Sequence, residues 1–198
     1  MRARLQNKQL RFYYHFQQDC KNKQGSTIIS SVIVLLSFPV CRIVSQMKKY
    51  TSFPLTLYRI QPRLPVSLRS YDLQMAAGRS SFDLKVHNGL VCPIKPDDHF
   101  HTPNGMSLRP AGPKMMEILS KFPEKRYDLK IYSFLCGMSV PKDFVLYHEH
   151  NDHYSLQTAV PIPLDELNQK MTDILSKLPS YTRQQFIDFM NDPDDFDN

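Results

Sequence analysis

Glycine is scarce in this chain, 6 of 198 residues, about 3% where globular proteins usually have about 7%. Neither GxGxxG nor GxxxxGK followed by Ser or Thr occurs. Those patterns let backbone amides cradle phosphates, so a Rossmann fingerprint and a P-loop are excluded. GxSxG is missing as well, which removes the nucleophile elbow of the hydrolases. Cysteine is limited to Cys20, Cys41, Cys92 and Cys136, with no CxxC. A zinc ribbon and a thioredoxin motif are therefore excluded. Four cysteines in so long a chain do not make a disulfide scaffold, so reduced thiols and a cytoplasmic protein are expected. Acidic charge is nearly absent from residues 1–50, where nine Lys/Arg face one Asp, a balance of +8. Residues 51–178 carry +2 and residues 179–198 carry −4. The net +6 thus belongs to the N-terminal segment, and no specific nucleic-acid binding is expected of the remainder.

The first acid is Asp19, and the run at 25–41 is apolar but holds four Ser and Pro39. The basic stretch before it is too long for a secretory signal. The run is also shorter than the roughly 20 apolar residues a membrane span needs. Three readings stay open: a membrane or signal anchor, a mitochondrial-type presequence, and an extension outside the functional domain, which we favour. The division expected is 1–48 extension, 49–179 functional domain, and 180–198 a short helix with an acidic tail.

Beyond Tyr50 the pattern becomes short strand-like runs separated by proline and turn residues. LTLYRI (55–60), NGLVCPI (88–94), KIYSFLCG (130–137), DFVLYHE (143–149) and HYSLQTAV (153–160) read as strands. GPKMMEILSKFP places Pro113 at a helix start. In LDELNQKMTDILSKLP, Leu164, Leu167, Met171, Ile174, Leu175 and Leu178 share one helical face. Thr182 and Gln185 stand in capping-box spacing ahead of a third helix. Strands and helices without regular βαβ alternation predict an α+β fold.

Several strings carry chemistry. His148-Glu149-His150-Asn151-Asp152-His153 fits HxHxDH, a pattern in which imidazoles and a carboxylate hold zinc and activate water. No histidine follows His153, so the downstream ligands of such a metallohydrolase are lacking, and a hairpin turn at Asn151-Asp152 is expected instead. His99 and His101 lie in a polar loop and are read as solvated. Cys136 precedes Gly137 and reads as a structural thiol rather than a nucleophile. Arg59 is a cation inside an apolar strand, costly to bury unless paired. It is either an edge residue facing water or a fork that grips a phosphate. Ser107 follows the Asn104-Gly105 turn, with Arg109 beside it. On the strand from His153, period-2 alternation puts His153, Ser155 and Gln157 on one face and Tyr154, Leu156 and Thr158 on the other. A face of His, Ser and Gln suits a cleft better than a core.

Taken together, TSFPLTLYR (51–59), NGLVCPI, NGMSLRP (104–110), HEHNDHYSLQ (148–157) and the PLDELNQKM helix resemble an ADP-ribosyltransferase-type toxin domain. The likeness is to the bacterial type VI secretion exported effector 2 and especially its fungal relatives, over about two thirds of the chain. The resemblance implies a split β-sandwich binding NAD in a cleft between two small sheets. It implies transfer of ADP-ribose to an unidentified acceptor, or NAD glycohydrolysis, without a metal, and an antitoxin or immunity partner. Carried over, Arg59, Tyr58, Ser107, Arg109 and Tyr154 are expected to contact NAD. Ser107, Glu149, His153 and Gln157 are expected to serve the reaction. The family's late strand supplies a catalytic Glu; here Glu149 lies before the turn, and Gln157 is a neutral substitute that cannot stabilise positive charge as a carboxylate does. A catalytically silent relative acting as a binding domain is the alternative.

Overall fold

The computed structural model describes residues 47–94, 102–124 and 128–191. His99, His101 and the apolar run at 25–41 lie outside them. The order is β1 (Lys48–Tyr50), β2 (Leu57–Gln61), α1 (Tyr71–Ala76), β3 (Leu90–Val91), β4 (Met106–Leu108), α2 (Pro113–Ser120), β5 (Lys130–Phe134) and β6 (Phe144–His150). Then come β7 (His153–Thr158), β8 (Ile162–Pro163), α3 (Leu164–Leu175), β9 (Ser180–Thr182) and α4 (Arg183–Asn191). Antiparallel sheets flanked by helices make this an α+β structure, as the missing βαβ alternation predicts. No helix among the described residues is long and apolar enough to cross a membrane.

The strands form three antiparallel groups: β1-β6-β7-β4, β2-β5-β9 and the pair β3-β8. The first two meet where β2 passes the end of β4. Tyr58 N donates to Arg109 O at 2.7 Å and Arg109 N to Tyr58 O at 3.0 Å. Among the described residues, that bridge is what pairs the two sheets with each other.

Alternation in β2 divides its side chains between two cores. Leu57 enters a cluster with Phe53, Phe134, Leu146, Leu156 and the α3 residues Leu167, Met171 and Leu175. Tyr58 and Ile60 point the other way, into a cluster with Met115, Leu119, Ile131 and Phe186. The periodic face of α3 is therefore what closes the first core, and α2 and α4 close the second. Each fully buried Leu or Phe contributes on the order of 1.5–3 kcal/mol.

Helix ends follow local chemistry. Pro113 opens α2, where its missing N–H costs nothing. Thr182 and Gln185 cap α4 reciprocally: Gln185 N donates to Thr182 Oγ1 at 3.2 Å, and Thr182 N to Gln185 Oε1 at 2.8 Å. β9 pairs with β5 and Phe186 is fully buried, so packing continues beyond residue 179. One expectation needs correction. Cys136 lies beyond the end of β5 and is disulfide-bonded, so it is neither a reduced thiol nor a strand residue.

Candidate functional site

One face of the β6–β7 hairpin carries buried polar side chains, and its pairing has one irregularity. The pairing is regular from Phe144↔Thr158 to His148↔Tyr154, then shifts so that His150 faces His153. Glu149 is the extra residue of this bulge, which re-aims side chains locally. Asn151 turns the hairpin with φ of 47°, a left-handed conformation that Asn tolerates better than most residues.

Glu149, His153, Ser155 and Gln157 come together on that face. Ser155 Oγ donates to Glu149 Oε1 at 2.6 Å, and Gln157 Nε2 donates to the same oxygen at 3.3 Å. Gln157 Nε2 also donates to Ser155 Oγ at 2.7 Å. Asn104 Nδ2 donates to Gln157 Oε1 at 3.2 Å and to Cys92 O at 3.0 Å. The carboxylate side chain is 0% exposed, with His153 Nδ1 2.6 Å from its Oε2. A buried carboxylate is tolerable because it is surrounded by donors.

β4 extends the face. Ser107 pairs in register with Ser155. Gly105 lets the backbones approach, since a Cβ there would lie 2.5 Å from Leu156 O. From β2, across the bridge, Arg59 Nη1 donates to Ser107 O at 3.3 Å and Nε to Gln61 Oε1 at 3.3 Å. No carboxylate among the described residues lies within ion-pair distance of Arg59. Burial lowers its pKa, Asp83 opposes that shift, and the Arg69 charge adds to it. Asp83 instead accepts a fork from Arg69, Nε at 2.8 Å and Nη2 at 2.9 Å. Burial pushes the Asp83 carboxyl up, but the Arg69 hydrogen bond and the Arg59 charge outweigh it and hold it below the ordinary value.

Other expected site residues lie elsewhere. Tyr58 projects from the opposite face of β2, with its ring 5.1 Å from Phe186. Burial raises its phenol pKa, with Tyr181 adding. Adjacent strand residues face opposite ways, so Tyr58 does not share Arg59's face. Tyr154 belongs to the first core and stacks on His148 at 4.5 Å. Arg109 pairs with Asp152 at the hairpin end. The HxHxDH set therefore does not converge: His148 stacks on the core face and Asp152 is engaged by Arg109. Glu149, outside that pattern, stands with His150 and His153 instead, their ligand atoms all within 4.8 Å of one another. Burial lowers the His150 pKa, and the neighbouring His153 adds to the effect.

Asp83, Arg69 and Asn104 were not among the expected site residues. Asn104 lies in the turn before Ser107 that the sequence already marked, whereas the Arg69–Asp83 pair joins residues fourteen apart and no local pattern marks it.

A family model described as Tse2 ADP-ribosyltransferase toxin matches residues 55–186. The chain belongs to that family. The matched span runs from just before β2 into α4 and contains Arg59, Ser107 and the whole β6–β7 hairpin. The Tse2-family segment is thus the segment that builds the polar face. No curated protein and no solved structure matches the chain.

Proposed function

We propose that this Tse2-family domain is a split β-sandwich that binds NAD between the β2 and β4 edges and cleaves its nicotinamide–ribose bond. One observation carries the reading: Arg59 is a half-buried cation with no carboxylate partner among the described residues, beside β4, whose Ser107 pairs with Ser155, the donor to the buried carboxylate of Glu149. A cation so placed fits an anionic ligand, and a guanidinium fork matches a diphosphate. Ser107, between the two, braces the nicotinamide end. Glu149, oriented by Ser155, Gln157 and His153, faces the ribose carbon, where positive charge develops as the electron pair of the breaking C–N bond leaves with nicotinamide. The cationic ribose is then captured by a nucleophile that gives up a proton. With water this is NAD glycohydrolysis; with a side chain or nucleic acid it is ADP-ribosyl transfer. No metal takes part in this reading. A domain with this activity calls for an immunity protein that covers the cleft in the producing cell.

A second reading, a catalytically silent binding domain, is favoured by the complete burial of the Glu149 side chain. Nicotinamide release from NAD separates the two. The parent chain releases nicotinamide, and Glu149→Gln reduces the rate by about 10²–10³, the usual cost of losing one preorganised electrostatic group. A parent that binds NAD but releases no nicotinamide supports the silent reading. A Glu149→Gln variant as fast as the parent removes Glu149 from the reaction.

A further inference from the structure

We propose that Glu149, His150 and His153 form a binding site for a zinc-type dication, and that occupying it switches off the NAD chemistry. The second half rests on the reading of Glu149 given above; the first does not.

The bulge is the structural cause. In a regular strand, Glu149 and His150 would project to opposite faces. The register shift at Glu149 instead brings both near His153, with candidate ligand atoms all within 4.8 Å of one another. Two of these atoms carry an independent signal. Glu149 Oε2 and His153 Nδ1 are 2.6 Å apart, at ion-pair distance, and both are buried with no other hydrogen-bond partner among the described residues. So close a buried oxygen–nitrogen pair is bridged by one positive charge, a proton or a metal ion.

The donor set suits zinc. Imidazole and carboxylate are its usual nitrogen and oxygen ligands, and three protein ligands plus water are typical of an open site. Tetrahedral zinc holds its ligand atoms roughly 3.3 Å apart. The Oε2–Nδ1 pair must therefore part by under about 1 Å, and His150 must swing inward by side-chain rotation. His150 is exposed at the hairpin end, which supplies the entry path. Ser155 and Gln157 already hold the other carboxylate oxygen, orienting the ligand as outer-shell partners do. His148 and Asp152 are not recruited, because one stacks on Tyr154 and the other pairs with Arg109. The site is mononuclear.

Inhibition follows from charge. Glu149 stabilises a developing cation only while it presents a negative potential. A dication bound to it reverses the sign of that potential at the place where positive charge must form.

The test is calorimetric titration of the full chain with ZnCl2, using parent, His150→Ala and His148→Ala. The parent and His148→Ala bind one equivalent with equal affinity, and His150→Ala binds at least about tenfold more weakly. In parallel, saturating Zn2+ lowers nicotinamide release by at least about tenfold in the parent, EDTA restores it, and His150→Ala without metal releases nicotinamide at the parent rate. Zinc affinity unchanged in His150→Ala, or equally reduced in His148→Ala, overturns the site. Stoichiometric binding lost in His150→Ala but without inhibition overturns the switch alone. If zinc binds as described and the metal-free parent releases no nicotinamide, the site stands, the switch falls, and the catalytic reading fails with it.

Discussion

Replacing Arg59 by Met removes the guanidinium and keeps most of the aliphatic stem. In the protein alone, that guanidinium makes two hydrogen bonds of 3.3 Å, to Gln61 Oε1 and Ser107 O, and burial works against its charge. Both contacts are near the long limit for N–H···O bonds, where little net stabilisation is expected. Removing a half-buried cation that lacks an ion-pair partner among the described residues also relieves its desolvation. The two effects oppose, so the unfolding midpoint of Arg59→Met should stay within about 2–4 °C of the parent, equivalent to roughly 1 kcal/mol. Ligand binding should behave differently. A charge-assisted fork to a diphosphate is worth on the order of 1.5–3 kcal/mol. At tenfold per 1.4 kcal/mol, NAD affinity should fall about ten- to 150-fold. Arg59→Lys should recover little of it, because a point charge does not reproduce the planar fork. Differential scanning calorimetry and titration calorimetry with NAD on the same preparations provide both readings. An Arg59→Met protein that binds NAD like the parent, or that loses its cooperative transition, would show that Arg59 is a structural residue and that the cleft lies elsewhere.

Asp83→Asn should cost about 1–2 kcal/mol at pH 7, discounted because Arg69 is half exposed. Because the folded Asp83 pKa is depressed, its contribution is present above the unfolded value of about 3.8 and fades as pH falls through the lower folded value; urea unfolding at pH 7 and pH 3 should show the parent–variant gap narrowing in acid, and a gap independent of pH would contradict the assignment. Gly105→Ala places a Cβ 2.5 Å from Leu156 O, a backbone atom, so it should destabilise by roughly 1–3 kcal/mol in thermal melts; a neutral result would mean β4 shifts freely against β7. Phe186→Ala should cost about 3–5 kcal/mol, and a chain ending at residue 179 should lose cooperative unfolding; a normal transition in that truncation would place the domain end where the residue pattern first suggested.

What the amino-acid order determined by itself is whatever depends on neighbours along the chain. The alternation His153-Tyr154-Ser155-Leu156-Gln157 sorted polar from apolar because successive strand residues face opposite sides. The 3.6-residue spacing of Leu164, Leu167, Met171 and Leu175 marked the face of α3 that closes the core. The Thr182–Gln185 cap was legible because both its bonds join residues three apart. Arg59 stood out for the same reason, as a charge in an apolar run. Tertiary structure decided the rest. The bulge that sets His150 opposite His153 is a fault in register between two strands, and register belongs to the pair rather than to either one. Tyr58 resembled Arg59's neighbour in a cleft until the second core, built from α2 and α4, claimed its side of β2. The Arg69–Asp83 fork joins residues fourteen apart, and Arg59 approaches Ser107 across forty-eight. Such meetings depend on which sheet edges come together, here at the bridge between Tyr58 and Arg109, and no local pattern encodes that choice.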